Sequence, residues 1–380
     1  MLCRFEDRIA KQALELTKFS HRISVCTPEQ LQPAFDQISA AQQQGCWIAL
    51  LLDYELGEWL EPALSGVTET AAVGSKSDRP RMTALVYEQA QDVPVWQEPV
   101  AKDPITLDTR PLVQKSQYLE NIDTLRAGIG RGDFYQVNYT FPIQVQTDAA
   151  PCDLYRTLAA RHPSAHGAYI EDGQRTILSF SPELFMSRSG STLTVRPMKG
   201  TAPRHADPVL DQQSAQELLH SEKNRAENLM IVDLLRNDLG RLATPGSVKV
   251  EALFSLECYP SVWTLTSTIT AQAPDRSLQE LLRALFPCGS ITGAPKIAAM
   301  RKIKELERRD RGIYCGSVGW LAPNGDCSLN VAIRTIEMRS GQAGVFGVGG
   351  GIVYDSESNL EWEECLWKAR ILQCDAIAPE

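Results

Sequence analysis

Four short breaks constrain most strongly what this chain can fold into. Asp172-Gly173, Ser189-Gly190-Ser191, Pro323-Asn324-Gly325-Asp326 and Ser340-Gly341 each separate two β-rich runs. Gly, Asn and Asp accept the backbone turn that closes a hairpin, so each break predicts two antiparallel strands. Apolar residues at three- and four-residue steps predict helices over 116–131, 209–239, 277–285, 295–307 and 359–374. Hairpins with interspersed helices imply antiparallel sheets that carry helices on their outsides, an α+β class.

Residues 1–105 read as an N-terminal region partly integrated with the rest, and 106–380 as the main region, joined near 97–108. Helices are expected around 7–16 and 28–43, and the apolar run Trp47–Leu52 is expected to be a buried strand. The 380 residues are 43% hydrophobic and 22% charged, an ordinary globular balance. A net charge of −9 without a long basic tract argues against nucleic acid or an anionic membrane as the main partner, so an anionic substrate needs local positive charge or a metal. The ten cysteines occur singly, with no Cys-x-x-Cys, which suits reduced thiols in a cytoplasmic protein. Residues 1–22 carry charges and no continuous apolar stretch, so neither a signal peptide nor a membrane span is expected.

Reactive chemistry concentrates around Arg196-Pro197-Met198-Lys199-Gly200-Thr201-Ala202-Pro203-Arg204. The strand Thr192-Leu193-Thr194-Val195 runs into Pro197 and Gly200, so Lys199 is expected where sheet gives way to loop. Arg196 and Arg204 nearby would lower its pKa by like-charge repulsion and free the amine as a nucleophile; a solvated basic strand end is the plainer alternative. Glu183 and Lys199 lie about equally far from the turn near Ser191. A regular hairpin would set them ~5 to 8 Å apart, as an acid and amine around one substrate or as a surface salt bridge. Glu227 lies in one helix and Glu361 and Glu364 in another, with Lys368 one turn beyond. Carboxylates meeting from two helices suit Mg²⁺, although Glu364 and Lys368 also fit a solvent-exposed helix pair. Thr292-Gly293-Ala294-Pro295 opens a helix whose free amides could hold a carboxylate, and Gly349-Gly350-Gly351 allows close backbone approach to a ligand or simply marks a bend.

The ordered blocks Arg131-Gly132-Asp133-Phe134-Tyr135-Gln136-Val137-Asn138, Ser181-Pro182-Glu183-Leu184-Phe185, the Lys199 run, 226–241, 289–296 and 349–356 resemble the aminodeoxychorismate synthase component I family of chorismate-binding enzymes. The resemblance runs from about Gly130 to the last helix. It implies two packed antiparallel sheets, a β-sandwich-like core flanked by helices, and amination of chorismate to 4-amino-4-deoxychorismate for folate synthesis. It further implies Lys199 as nucleophile, Glu183 as general acid, Mg²⁺ on Glu227 and Glu364 with Glu361 on a metal water, and substrate contacts from Gln136, Thr201, Thr292, Gly293, Tyr314, Arg334, Gly349, Gly350 and Lys368. Tyr314 and Arg334 are expected on strands.

Isochorismate-forming relatives carry a lysine in place of Gln136 to activate water; glutamine cannot, so the site should favour ammonia. Many relatives have an acid in place of Asn224 and a histidine in place of Thr264. No Gly-x-Cys-x-Gly nucleophile motif is present, which implies that ammonia comes from a separate glutamine amidotransferase, and no lyase domain is expected after Glu380. The resemblance also leaves open anthranilate synthase component I, typically with a small residue in place of Lys199, and a non-catalytic subunit that binds chorismate or tryptophan. A strand like 50–55 borders a tryptophan pocket in relatives; here the match is poor, and a core strand is expected.

Overall fold

The computed structural model describes residues 1–64, 79–99, 105–259, 262–339 and 343–373. The first part holds β1 (Cys3–Asp7), β2 (Gln12–Val25), α1 (Leu31–Gln43), β3 (Trp47–Leu52), α2 (Gly57–Leu60), β4 (Met82–Val93), β5 (Asp108–Pro111) and α3 (Lys115–Arg131). Then follow β6 (Gln136–Gln146), α4 (Pro151–Arg161), β7 (His166–Glu171), β8 (Thr176–Ser181), β9 (Leu184–Ser189), β10 (Thr192–Arg196), β11 (Met198–Pro203), α5 (Pro208–His220) and α6 (Glu222–Gly240). The last part is β12 (Lys249–Cys258), β13 (Val262–Gln272), α7 (Leu278–Leu285), β14 (Gly293–Ala294), α8 (Lys296–Glu307), β15 (Ser317–Leu321), β16 (Cys327–Val331), β17 (Thr335–Met338), β18 (Ala343–Ile352) and α9 (Ser358–Lys368).

All the described pairings are antiparallel. They link the strands into one path: β6, β18, β17, β8, β7, β1, β2, β4, β3, β15, β16, β9, β10, β13. Strands β5 and β14 attach to β6, and β11 and β12 to β13. Three of the four expected hairpin turns are present, each with a glycine in the left-handed region: Gly173 at φ 85°, Gly190 at 57° and Gly325 at 87°. Residues 340–342, with the fourth, lie outside the described residues.

Alternation along the strands folds this path into two layers. Ile48, Leu50 and Leu52 of β3 join one apolar cluster with α1, α6 and α7. Ala49 and Leu51 turn the other way and meet Phe5 of β1, Ala168 and Ile170 of β7 and Ile177 of β8. Leu178 and Phe180 of β8 then point outward again, under α3, α4 and α9. The order is helices, sheet, sheet, helices: the expected α+β sandwich, with its layers continuous through β1, β2 and β4. A strand buried on both faces needs no polar residues, which is why Trp47–Leu52 reads as one apolar run.

Three element assignments change. The helix expected over 7–16 is the β1–β2 hairpin, because pairing with β7 and β4 decides the conformation of a short ambiguous segment. The helix expected over 209–239 is two helices, divided where the Ser221 side chain accepts the Asn224 amide as a cap. Pro151–Arg161 is a helix that was not expected, although Pro151 opens it and Leu154 and Leu158 share its buried face. Helix α9 ends at Lys368 and a 3₁₀ turn carries the chain to Leu372; Cys374 lies outside the described residues. Among the described residues no helix is long and apolar enough to cross a membrane, and Cys3, Cys46, Cys152, Cys258, Cys288, Cys315, Cys327 and Cys365 are free thiols.

Candidate active site

The two ends of the strand path close on a cavity of about 300 Å³. From one end come Asn138 of β6 and residues 347–351 of β18, from the other Met198, Lys199, Gly200 and Thr201 of β11. Helix α6 contributes Lys223, Asn224 and Glu227, and α9 contributes Glu361, Glu364 and Lys368; Glu183, Ser290, Tyr314 and Arg334 complete the polar wall.

Lys199 stands within a strand and not in a loop, and it does not face Glu183 across the hairpin. The β9–β10 register shifts after Thr194, so Arg196 stands opposite Leu184. Beyond Pro197 the chain pairs with β13, Met198 opposite Thr266. Both side chains nevertheless line the one cavity. The Glu183 carboxylate is buried and accepts a 2.7 Å hydrogen bond from Ser290 Oγ. Burial pushes its pKa up to about 7, against the lowering effects of Ser290, the Lys199 charge and the Met198 amide. The flanking arginines are engaged elsewhere: Arg196 pairs with Glu257, and Arg204 pairs with Asp211 at 2.8 Å and lies over Trp263. The like-charge argument for Lys199 therefore loses its basis, since each arginine already has its counter-ion.

Glu361 and Glu364 lie almost one turn apart on α9, facing Glu227 of α6 around the cavity. Lys368 Nζ sits 2.7 Å from Glu364 and donates to the Gly349 carbonyl at 2.9 Å, tying α9 to β18. Lys368 draws the Glu364 pKa below its ordinary value, whereas burial, assisted by the Glu364 charge, pushes that of Glu361 up. Lys223, which no motif singled out, also bears on both carboxylates. It lies four residues before Glu227 on the same helix face, a spacing that could have drawn attention to it. Among the described residues no three acidic, histidine or cysteine side chains form a ready-made metal centre.

Gln136 lies behind the glycines. A Cβ at Gly351 would strike its side-chain amide and come within 3.1 Å of Lys199 Nζ, so only glycine leaves the two groups their places. Gln136 Oε1 is buried and has no hydrogen-bond partner among the described residues. Thr292 and Gly293 do not line the cavity: Thr292 Oγ1 bonds the Cys288 and Gly289 carbonyls, and Gly293 pairs with Val137 in β14. Pro295 caps α8 instead of opening it. Neither Tyr314 nor Arg334 is on a strand. Tyr314 lies in the turn before β15, packed under Gly347, and Arg334 lies between β16 and β17 at φ 50°. Arg334 has no ion-pair partner among the described residues, and burial lowers its pKa. Asp53, after β3, is held by Arg175 at 2.9 Å and Arg79 at 2.6 Å in a cluster of ion pairs.

Residues 34–373 match the family of chorismate binding enzymes. The chain belongs to that family. This chorismate binding enzyme is 44% identical over 68% of its length to aminodeoxychorismate synthase component 1 of Salmonella typhimurium, covering 57% of that protein. It is 38% identical to the protein of the same name from Bacillus subtilis, over 67% of this chain and 54% of that one. It is also 40% identical to anthranilate synthase component 1 of Streptomyces coelicolor, over 68% of this chain and 51% of that one. The chain thus spans between half and two thirds of the length of these relatives. Its fold is that of anthranilate synthase component I from Streptococcus pneumoniae (TM-score 0.81, 24% identity, 96% of this chain and 92% of the other). The menaquinone-specific isochorismate synthase of Escherichia coli shares it (TM-score 0.76, 18% identity, 98% and 88%).

Proposed function

We propose that this chorismate binding enzyme is an aminodeoxychorismate synthase component 1, which makes 4-amino-4-deoxychorismate from chorismate and ammonia. The observation that carries the reading is the meeting of Lys199 with Glu183, a carboxyl poised near pH 7, in one cavity. The Lys199 lone pair adds to ring C2, the two ring double bonds shift, and the C4 hydroxyl leaves as water with the Glu183 proton. Ammonia then adds at C4, the shift reverses, and the C2–N bond breaks to release Lys199 as its amine. Arg334, an ion without a counter-ion among the described residues, suits a substrate carboxylate. Gln136 holds the position from which a basic side chain could activate water, and an amide cannot.

The carboxylates Glu227, Glu361 and Glu364 fit Mg²⁺ in one respect: they are all-oxygen donors around one cavity, and a cation would relieve the mutual repulsion that helps raise Glu361. Since no complete metal centre exists among the described residues, substrate oxygens and waters would have to supply the rest. Bound there, Mg²⁺ would neutralise a substrate carboxylate. The region 1–105 serves as scaffold, its β1–β4 joining the two layers. Free cysteines fit a reducing cytoplasm. A separate glutamine amidotransferase supplies ammonia.

The test is product analysis with chorismate, Mg²⁺ and ammonium. Aminodeoxychorismate should form without release of pyruvate, and glutamine should go unused until a glutaminase is added. Anthranilate and pyruvate would identify the anthranilate synthase reading, and binding without turnover the regulatory one.

A further inference from the structure

We infer that Thr264 is a positioning residue for Lys199, acting through a β-bulge. Along β10 and the start of β11, residue numbers paired with β13 keep a constant sum: Val195 faces Ile269 and Met198 faces Thr266. At Thr201 the partner is Thr264, one residue out of step. Lys199 and Gly200 together therefore stand opposite Leu265 alone. A bulge of this kind re-aims the side chain it carries and leaves part of the ladder unpaired.

Two contacts hold the bulge. Gly200 takes φ 84°, which a side chain would strain. From the sheet, the buried Thr264 hydroxyl donates to the Gly200 carbonyl at 3.0 Å. From α6, the Asn224 side chain covers Gly200 so closely that a Cβ there would lie 3.0 Å from Asn224 Cβ. Asn224 is itself tied to Ser221 Oγ at 2.9 Å, at the cap of the helix. The Gly200 backbone, directly after Lys199, is held between a hydroxyl of β13 and a side chain of α6. Both contacts bear on Gly200, the residue that directly follows Lys199.

The inference rests on Lys199 being the nucleophile. Thr264→Val keeps the shape and deletes the donor; Thr264→Ser keeps the donor. For Thr264→Val we expect kcat to fall about tenfold or more while KM for chorismate changes little, because misplacing a reacting group costs rate before binding. Adduct formation on the Lys199 peptide, followed by mass spectrometry in a single turnover, should slow in parallel, and Thr264→Ser should restore both. Wild-type rates in Thr264→Val, or equal losses in the valine and serine variants, would overturn the inference. Lys199→Ala separates the two readings. If it turns over normally, the nucleophile assignment fails; if it is inactive while Thr264→Val is unimpaired, only the role of Thr264 fails.

Discussion

Burial lifts the Glu183 carboxyl to about 7, so near neutral pH it can hold the proton that a leaving hydroxyl would need on the proposed reading. The acid form disappears as pH rises through that value. Turnover at a fixed concentration of free NH₃ should therefore fall on the alkaline side of about pH 7. Ser290 stabilises the carboxylate, so Ser290→Ala should move this limb upward, and a profile that stays put would show that another group sets it. The same shift bears on stability with a definite sign. The folded protein keeps this proton above the ordinary glutamate range, so the group favours folding in acid, and that contribution is lost as pH rises through about 7. Lys199 and Glu183 were visible in the sequence because turn residues and neighbouring strands surround them. The facing expected across a regular hairpin does not occur, because a register shift after Thr194 adds one residue without altering the hydrophobic pattern that reveals a strand. Ser290, which tunes the acid, sits within a motif but gives no sign alone of its partner.

Helices α6 and α9 bring their carboxylates to the cavity by different means. The first is capped by Ser221, and the second is anchored by Lys368 on the Gly349 carbonyl. Exchanging Glu227 or Glu364 for glutamine keeps the shape and removes one ligand charge, so activity should need a higher Mg²⁺ concentration while the melting temperature stays close to that of the parent protein. Mg²⁺ titrations that overlay the parent curve would reduce these residues to surface charges. Hairpins were the readable elements, since their turns have residue-specific backbone needs. The break between α5 and α6 was harder to see, because one serine cap inside a polar run that could equally continue a helix decides it. The first hairpin was misread because β1 and β2 draw their identity from β7 and β4, distant in sequence.

Across the whole molecule, buried charge joins what the apolar layers stack. Arg175 reaches Asp53 and Asp172, and Arg79 bridges Asp53 and Glu337, so the cluster ties β3, β7–β8 and β17. Arg175→Met would leave Asp53 and Asp172 short of a counter-ion, and by the usual cost of breaking a buried pair should destabilise the fold by about 3–5 kcal/mol, measured by denaturant unfolding. No motif announced this cluster, because apart from Asp172 and Arg175 its members are far apart in sequence, and all are ordinary in type. The meeting of the strand path's two ends at the cavity also has a consequence for the protein's synthesis. Lys199 and Glu183 emerge before β18 and α9, which bring the glycines and Lys368 that complete the wall. A ribosome-bound chain thus carries its amine without the pocket that would offer it an electrophile. On the proposed reading it should stay chemically silent until α9 has docked.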